Sequence, residues 1–193
     1  MKKVDRSEIL PIEEYEKVRR ELTQQVIAAR AARRTIIGDK VSIGFENHDT
    51  VRYQIQEMCR VERIREDAKV QEEVDTYNEL LPDTPDELWA TMLIEIDDEP
   101  RLKATLPKLV GIENSVRMKV GDSLVIPAKG EEGRSREDYT SSVHYLRFRF
   151  PPEAREALRK GDQSVWIEID HPNYGASARL SPEAVAALAE DLS

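Results

Sequence analysis

The stretch PDTPDEL, residues 82–88, separates two hydrophobic rhythms, and this change of period constrains the fold more than any other feature of the chain. Before it, apolar residues recur at three- and four-residue spacing, the period of a helix buried along one side. After it they alternate, the period of a strand with one face buried. Two prolines and three acids within seven residues interrupt both patterns. The chain therefore reads as α+β: a helical N-terminal half with a small hairpin, and a C-terminal half of largely antiparallel sheet with short helices. The expected organisation is a lobe over 1–82 and a sheet-rich lobe over 83–193, joined in one compact unit.

Three helices are legible in the first half. Residues 11–34 begin with Pro11, whose missing N–H costs nothing in a first turn, and place acids early and Arg30, Arg33 and Arg34 late. Ile12, Tyr15, Val18, Leu22, Val26 and Ala29 give this segment an apolar face. Asn47 can cap a second helix, with Asp49 in its positively polarised first turn, and DAKVQEEVDTYNELLP reads as a third that ends before Pro82. Between the first two, Val41, Ile43 and Phe45 alternate with Ser42, Gly44 and Glu46 after Gly38-Asp39, a hairpin signature. VRMKVGDSLVIP repeats that signature at Gly121-Asp122. RFPPEAREAL and RLSPEAVAAL, thirty residues apart, echo each other as strand-to-helix junctions with proline in the first helical turn.

Composition excludes several function classes. A formal net charge of −9 opposes broad binding to nucleic acid or anionic membrane. No apolar run approaches the roughly 20 residues that span a bilayer, so membrane insertion is not expected. The lone Cys59 permits no internal disulfide, and a reducing cytoplasm is the expected location. The eight glycines form neither a dinucleotide nor a phosphate-loop fingerprint, so neither ATP nor a dinucleotide cofactor is implied; there is no nucleophile elbow, and neither CxxC nor HExxH occurs, so the strong zinc signatures are missing.

Two sets of residues could carry chemistry. On a helical wheel Val51, Ile55 and Met58 form one stripe, with Glu62 near its centre. That carboxylate either emerges where the helix leaves the core or is buried against a partner, in which case it could serve in acid/base catalysis. The second set lies at the ends of two strands that share IEID: Asp97 and Asp98 after the first, Asp170 and His171 in the second. Should those ends converge, they would offer oxygen and nitrogen ligands to a hard metal ion or an acid/base pair. Asn47, Arg52, Gln56 and Arg60 make a polar, arginine-bearing helix face suited to binding a protein partner.

FEN-x-DTV followed by Q-x-QEM-x-R-x-E, together with ILP-x-EEYE near the start, resembles an uncharacterised bacterial family catalogued as a domain of unknown function. The matching positions are Phe45, Glu46, Asn47, Asp49, Thr50, Val51, Gln54, Gln56, Glu57, Met58, Arg60 and Glu62. His48 lies outside the motif. Genes of this family often lie beside rubrerythrin-like proteins and iron–sulfur oxidoreductases, which implies an accessory part in iron or oxidative-stress redox chemistry and a redox or iron–sulfur protein as partner. The resemblance supplies no catalytic residue, and a single cysteine cannot itself hold a four-thiolate cluster. Two functions are thus expected from the sequence: a non-catalytic accessory or protein-binding module, or a small metal-dependent or acid/base enzyme.

Overall fold

The computed structural model describes residues 1–192. Helix α1 (Ile12–Ala31) is followed by strands β1 (Arg34–Ile37) and β2 (Val41–Phe45), then by helices α2 (His48–Val61) and α3 (Asp67–Asn78). Strand β3 (Glu87–Ile94) leads through α4 (Glu99–Thr105) and two 3-10 turns, Leu106–Leu109 and Ile112–Ser115, to β4 (Val116–Val120) and β5 (Leu124–Gly130). Strand β6 (Val143–Arg149), helix α5 (Pro152–Lys160), strands β7 (Val165–His171) and β8 (Tyr174–Arg179) and helix α6 (Pro182–Asp191) complete the chain.

The eight strands form one antiparallel sheet in the order β1-β2-β3-β6-β5-β4-β7-β8, and its two edges, β1 and β8, curl round to lie against each other. The result is a nearly closed barrel. This overturns the expected division into a helical N-terminal half and a sheet confined to the C-terminal half. The hairpin of β1 and β2 is not a satellite of the helices; β2 pairs with β3 from Val41↔Ile94 to Phe45↔Ala90 and begins the barrel wall. Periodicity reports which face of a strand is buried, but it does not report a partner almost fifty residues away.

Alternation explains the wall. Ile43 and Phe45 of β2, Leu88, Ala90 and Met92 of β3, Met118 of β4, Leu146 and Phe148 of β6 and Ile167 of β7 all point inward and are buried in one core. The registers set β3, β5 and β7 to end at one rim, where α4 and the 3-10 turns bring Leu106, Leu109 and Ile112 into that core. The opposite rim receives α5 and α6, through Ala154, Leu158, Val185 and Leu188. The two echoing segments are therefore equivalent exits from one end of the barrel into helices that pack on each other.

Where β1 meets β8, side chains replace the missing ladder. The Tyr174 hydroxyl donates to the Ile37 carbonyl at 2.5 Å and accepts from the Lys40 N–H at 3.2 Å. Gly38 makes this approach possible: its φ is +69°, and a Cβ there would stand 2.5 Å from Tyr174 Oη. Past the other end of β1, Arg33 pairs with Asp191 at the end of α6, both nearly buried.

A second apolar cluster lies outside the barrel, where α2 and α3 pack through Val51, Ile55, Cys59, Val70, Val74 and Leu81, with Trp89 and Tyr145 of the wall against them. Burial pushes the Cys59 thiol pKa up, so it behaves as a small apolar residue.

Candidate functional site

Helix α2 organises the polar chemistry of the N-terminal segment. Asn47 is its N-cap: the side chain accepts from the Thr50 N–H, and the Thr50 hydroxyl accepts from the Asn47 N–H, a reciprocal capping box. Near the middle of the helix, Gln56 clamps the backbone of a single residue, accepting from the Leu10 N–H at 2.8 Å and donating to the Leu10 carbonyl at 2.9 Å. Glu57 accepts from Tyr15 Oη at 2.6 Å, from Arg19 Nε at 2.7 Å and from Arg60 Nη2 at 3.0 Å. The Arg19 guanidinium above all holds the Glu57 carboxyl at about 2, while burial first, and then Glu57, push the Tyr15 phenol up. Arg60 also faces Glu16 at 3.7 Å. The ILP-x-EEYE and Q-x-QEM-x-R segments are thus two halves of one interlock that fixes α1 against α2. Asn47, Gln56 and Arg60 have partners within the chain; Arg52 stands half-exposed, 3.9 Å from Asp49.

Glu62 lies on the solvent side of this arrangement. Helix α2 ends at Val61, Glu62 is the exposed C-cap, and Arg63 adopts a left-handed φ of +55°. Of the two readings of this carboxylate, the structure shows the one in which it emerges where the helix leaves the core.

The strand-end carboxylates are not brought together. Strands β3 and β7 end at the same rim, but they stand four steps apart in either direction round an eight-stranded ring, on opposite walls. Asp98 caps α4, accepting from the Arg101 N–H at 2.7 Å, and Asp97 is exposed beside it. Asp170 faces Arg117 at 3.4 Å. His171 uses both ring nitrogens locally: Nε2 donates to the Val110 carbonyl at 3.1 Å and Nδ1 accepts from the Asn173 N–H at 3.2 Å. Among the described residues no group of three or more His, Cys, Asp or Glu side chains is placed to hold a metal ion.

Two constellations lie outside the residues named from the sequence as candidates for catalysis, metal binding or docking. In the first, His144 is fully buried on β6, with Nε2 2.8 Å from the Ser141 carbonyl and 3.1 Å from Thr140 Oγ1, and Nδ1 3.6 Å from Glu113 Oε2. Ser135 donates to Glu113 at 2.9 Å and lies 2.6 Å from Thr140. Burial pushes the imidazole pKa down, against the opposing pull of Glu113. With Thr140 and His144 both fully buried, this cluster ties the 131–142 loop to the turn carrying Glu113 and offers no open approach to a substrate.

The second is open. The outer faces of β1, β2 and β3, the end of α1 and the start of α2 bound a cleft of about 610 Å³. That volume lies within the usual range for small-molecule sites. Glu46, 8% exposed, stands at its inner end. Its Oε2 accepts from Thr50 Oγ1 at 2.6 Å and Gln54 Nε2 at 3.0 Å, and its Oε1 from Thr91 Oγ1 at 2.6 Å. All three donors are neutral. Gly44 follows along the floor with open space where a side chain would stand, and Ser42 lies beyond it, bonded to Arg34, which grips Glu95 at 2.6 and 2.7 Å. A sign of this site was present in the sequence: Glu46 and Thr50 of the FEN-x-DTV segment and Gln54 at the start of Q-x-QEM fall at four-residue spacing.

Comparison with known proteins agrees with this architecture. A family profile described as a protein of unknown function, DUF3501, matches residues 3–192. No curated protein matches the chain. Among solved structures, a novel protein of unknown function from Burkholderia pseudomallei K96243 is similar over 100% of both chains, with 37% identity and a TM-score of 0.92.

Proposed function

Given that the chain belongs to the DUF3501 family of proteins of unknown function, we propose that it is a non-catalytic accessory module that works by docking a protein partner on the outer face of β1–β3. The observation that carries this reading is a pair of apolar side chains: Ile27 on α1 is 62% exposed and Ile36 on β1 is 66% exposed. Ile27 lines the cleft, and Ile36 lies opposite Ser42 on the strand face that floors it. Exposed apolar groups beside paired arginine and glutamate side chains are the composition of an interface centre with a polar rim. The exposed position of Glu62 and the separation of the two strand-end clusters support binding over catalysis. The resemblance in the helix motif points to an iron or oxidative-stress redox protein as the partner class.

The test is the affinity of the intact chain for purified rubrerythrin-like and iron–sulfur oxidoreductase proteins from its own cell. Replacing Ile27 and Ile36 together by Glu is expected to weaken such a complex at least about tenfold. An unchanged affinity refutes this docking face, and a loss seen instead with Arg52→Ala and Arg60→Ala transfers the interface to the flank of α2.

A further inference from the structure

Beyond the docking of a partner, we propose that the cleft over β1–β3 is a binding site for a small zwitterion, a molecule carrying an ammonium group at one end and a carboxylate at the other.

The charges lining the cleft dictate this class. Five charged side chains face it: Arg30, Arg33, Arg34, Glu46 and Glu95. Arg34 and Glu95 cancel through two hydrogen bonds, and Arg33 is cancelled from behind by Asp191. One anion and one cation remain. Glu46 has no cationic partner among the described residues; Thr50, Gln54 and Thr91 occupy three of the roughly four lone-pair positions of its carboxylate. Arg30, in the last turn of α1, lies over the Tyr53 ring at 5.6 Å and has no carboxylate partner among the described residues. Both charges are held in place by neutral groups, Glu46 by three donors and Arg30 by an aromatic face, and both line the same cleft. A cation alone would leave Arg30 unmatched and an anion alone would leave Glu46 unmatched.

The floor of the cleft beside Glu46 is kept clear by Gly44. Its Cβ would meet nothing within 4 Å, and it stands in extended strand without a positive φ. A side chain at this position therefore costs the backbone nothing and would project into the cleft. The apolar chain of Ile27 and the half-buried Leu93 line the remainder, suiting the methylene body of an ω-amino acid.

Isothermal titration of the intact chain with glycine, 4-aminobutyrate, 5-aminopentanoate and 6-aminohexanoate, beside hexylamine and hexanoate as single-charge controls, tests the assignment. At least one zwitterion is expected to bind with a dissociation constant of about 1 mM or tighter, and more tightly than either control. Glu46→Gln and Arg30→Gln are each expected to weaken that binding by about tenfold or more. Gly44→Val is expected to abolish it while leaving the thermal midpoint in place, which separates a filled cleft from a misfolded chain. No binding of any zwitterion at about 10 mM overturns the proposal, as does hexylamine or hexanoate binding as well as the zwitterion, or affinity that survives Glu46→Gln. Ile36→Glu alone, at an exposed position outside the cleft lining, is expected to weaken partner docking and keep the zwitterion, so loss of the docking face and loss of this site read out separately.

Discussion

Replacing Glu57 by Gln removes the charge at the centre of the α1–α2 interlock without removing its shape. The carboxyl is held at about 2 against an ordinary 4.5, with the Arg19 hydrogen bonds as the largest cause. At about 1.4 kcal/mol per pH unit, that drop caps the linked stabilisation at about 3 kcal/mol. The Glu57 side chain is 20% exposed, and screening by the water that reaches it brings the expected loss to about 2 kcal/mol. The sign follows from the direction of the shift. A carboxyl depressed in the folded state contributes stability in full above 4.5, and that contribution is lost as pH falls through about 2. Urea unfolding followed by circular dichroism, on wild type and Glu57→Gln at a series of pH values, isolates this group from the other acids. The stability gap is expected to be about 2 kcal/mol at pH 7, a lowering of the thermal midpoint of about 4–8 °C for a chain of this size. It is expected to narrow below about pH 4.5 and to be largely closed near pH 2. A gap under about 0.5 kcal/mol at pH 7, or one that is the same at acid and neutral pH, refutes the reasoning.

Three further outcomes are expected. Gln56→Ala leaves the Leu10 N–H and carbonyl without their side-chain partner and is expected to cost about 1–3 kcal/mol, with faster hydrogen exchange of the Leu10 amide as the local readout. Gly130→Ala places a Cβ 2.5 Å from Glu113 Cγ and 2.8 Å from its Cβ; a loss of about 1–3 kcal/mol in chemical denaturation is expected, with the 131–142 loop becoming sensitive to protease. The His144 imidazole, pushed down from 6.5 by burial, is expected to stay neutral in an NMR titration as pH falls past that value. Since the unfolded chain takes up the proton first, this histidine costs stability as pH falls below about 6.5, and His144→Gln is expected to flatten that part of the profile.

Much of the local structure was legible because its causes are local. Asn47 announces the start of α2, and the glycines at 38 and 121 announce the two tight connections, each with positive φ. The β4–β5 hairpin and the strand nature of β3 follow from alternation alone. Closure of the barrel was not legible. It depends on the β2–β3 ladder and on a hydrogen bond from Tyr174 to Ile37 across 137 residues, and no window on the sequence contains both partners. The placement of the candidate residues depends on equally distant causes. Of the two readings of Glu62 the structure shows the one in which it emerges where the helix ends, and the shared IEID places Asp97 and Asp170 on similar strand ends while the ring sets those strands on opposite walls. Glu46 was read as one residue of a strand-to-helix motif, because its importance comes from Thr91, which reaches it from a strand 45 residues away.

The junction of β1 and β8 has a consequence for how the molecule behaves in company. Two backbone edges lie side by side there without a ladder between them, spanned by one phenol at one end and the Arg33–Asp191 pair at the other. Each edge carries unused N–H and carbonyl groups able to template a strand from another molecule. Tyr174→Phe, which deletes both hydrogen bonds while keeping the ring, is therefore expected to do more than soften the fold. It should free two sticky selvedges at once, and concentration-dependent oligomers in light scattering, absent from the parent chain, would be the visible result. On this account the Tyr174 hydroxyl, together with the Arg33–Asp191 pair, keeps the two edges from recruiting a second copy of the chain.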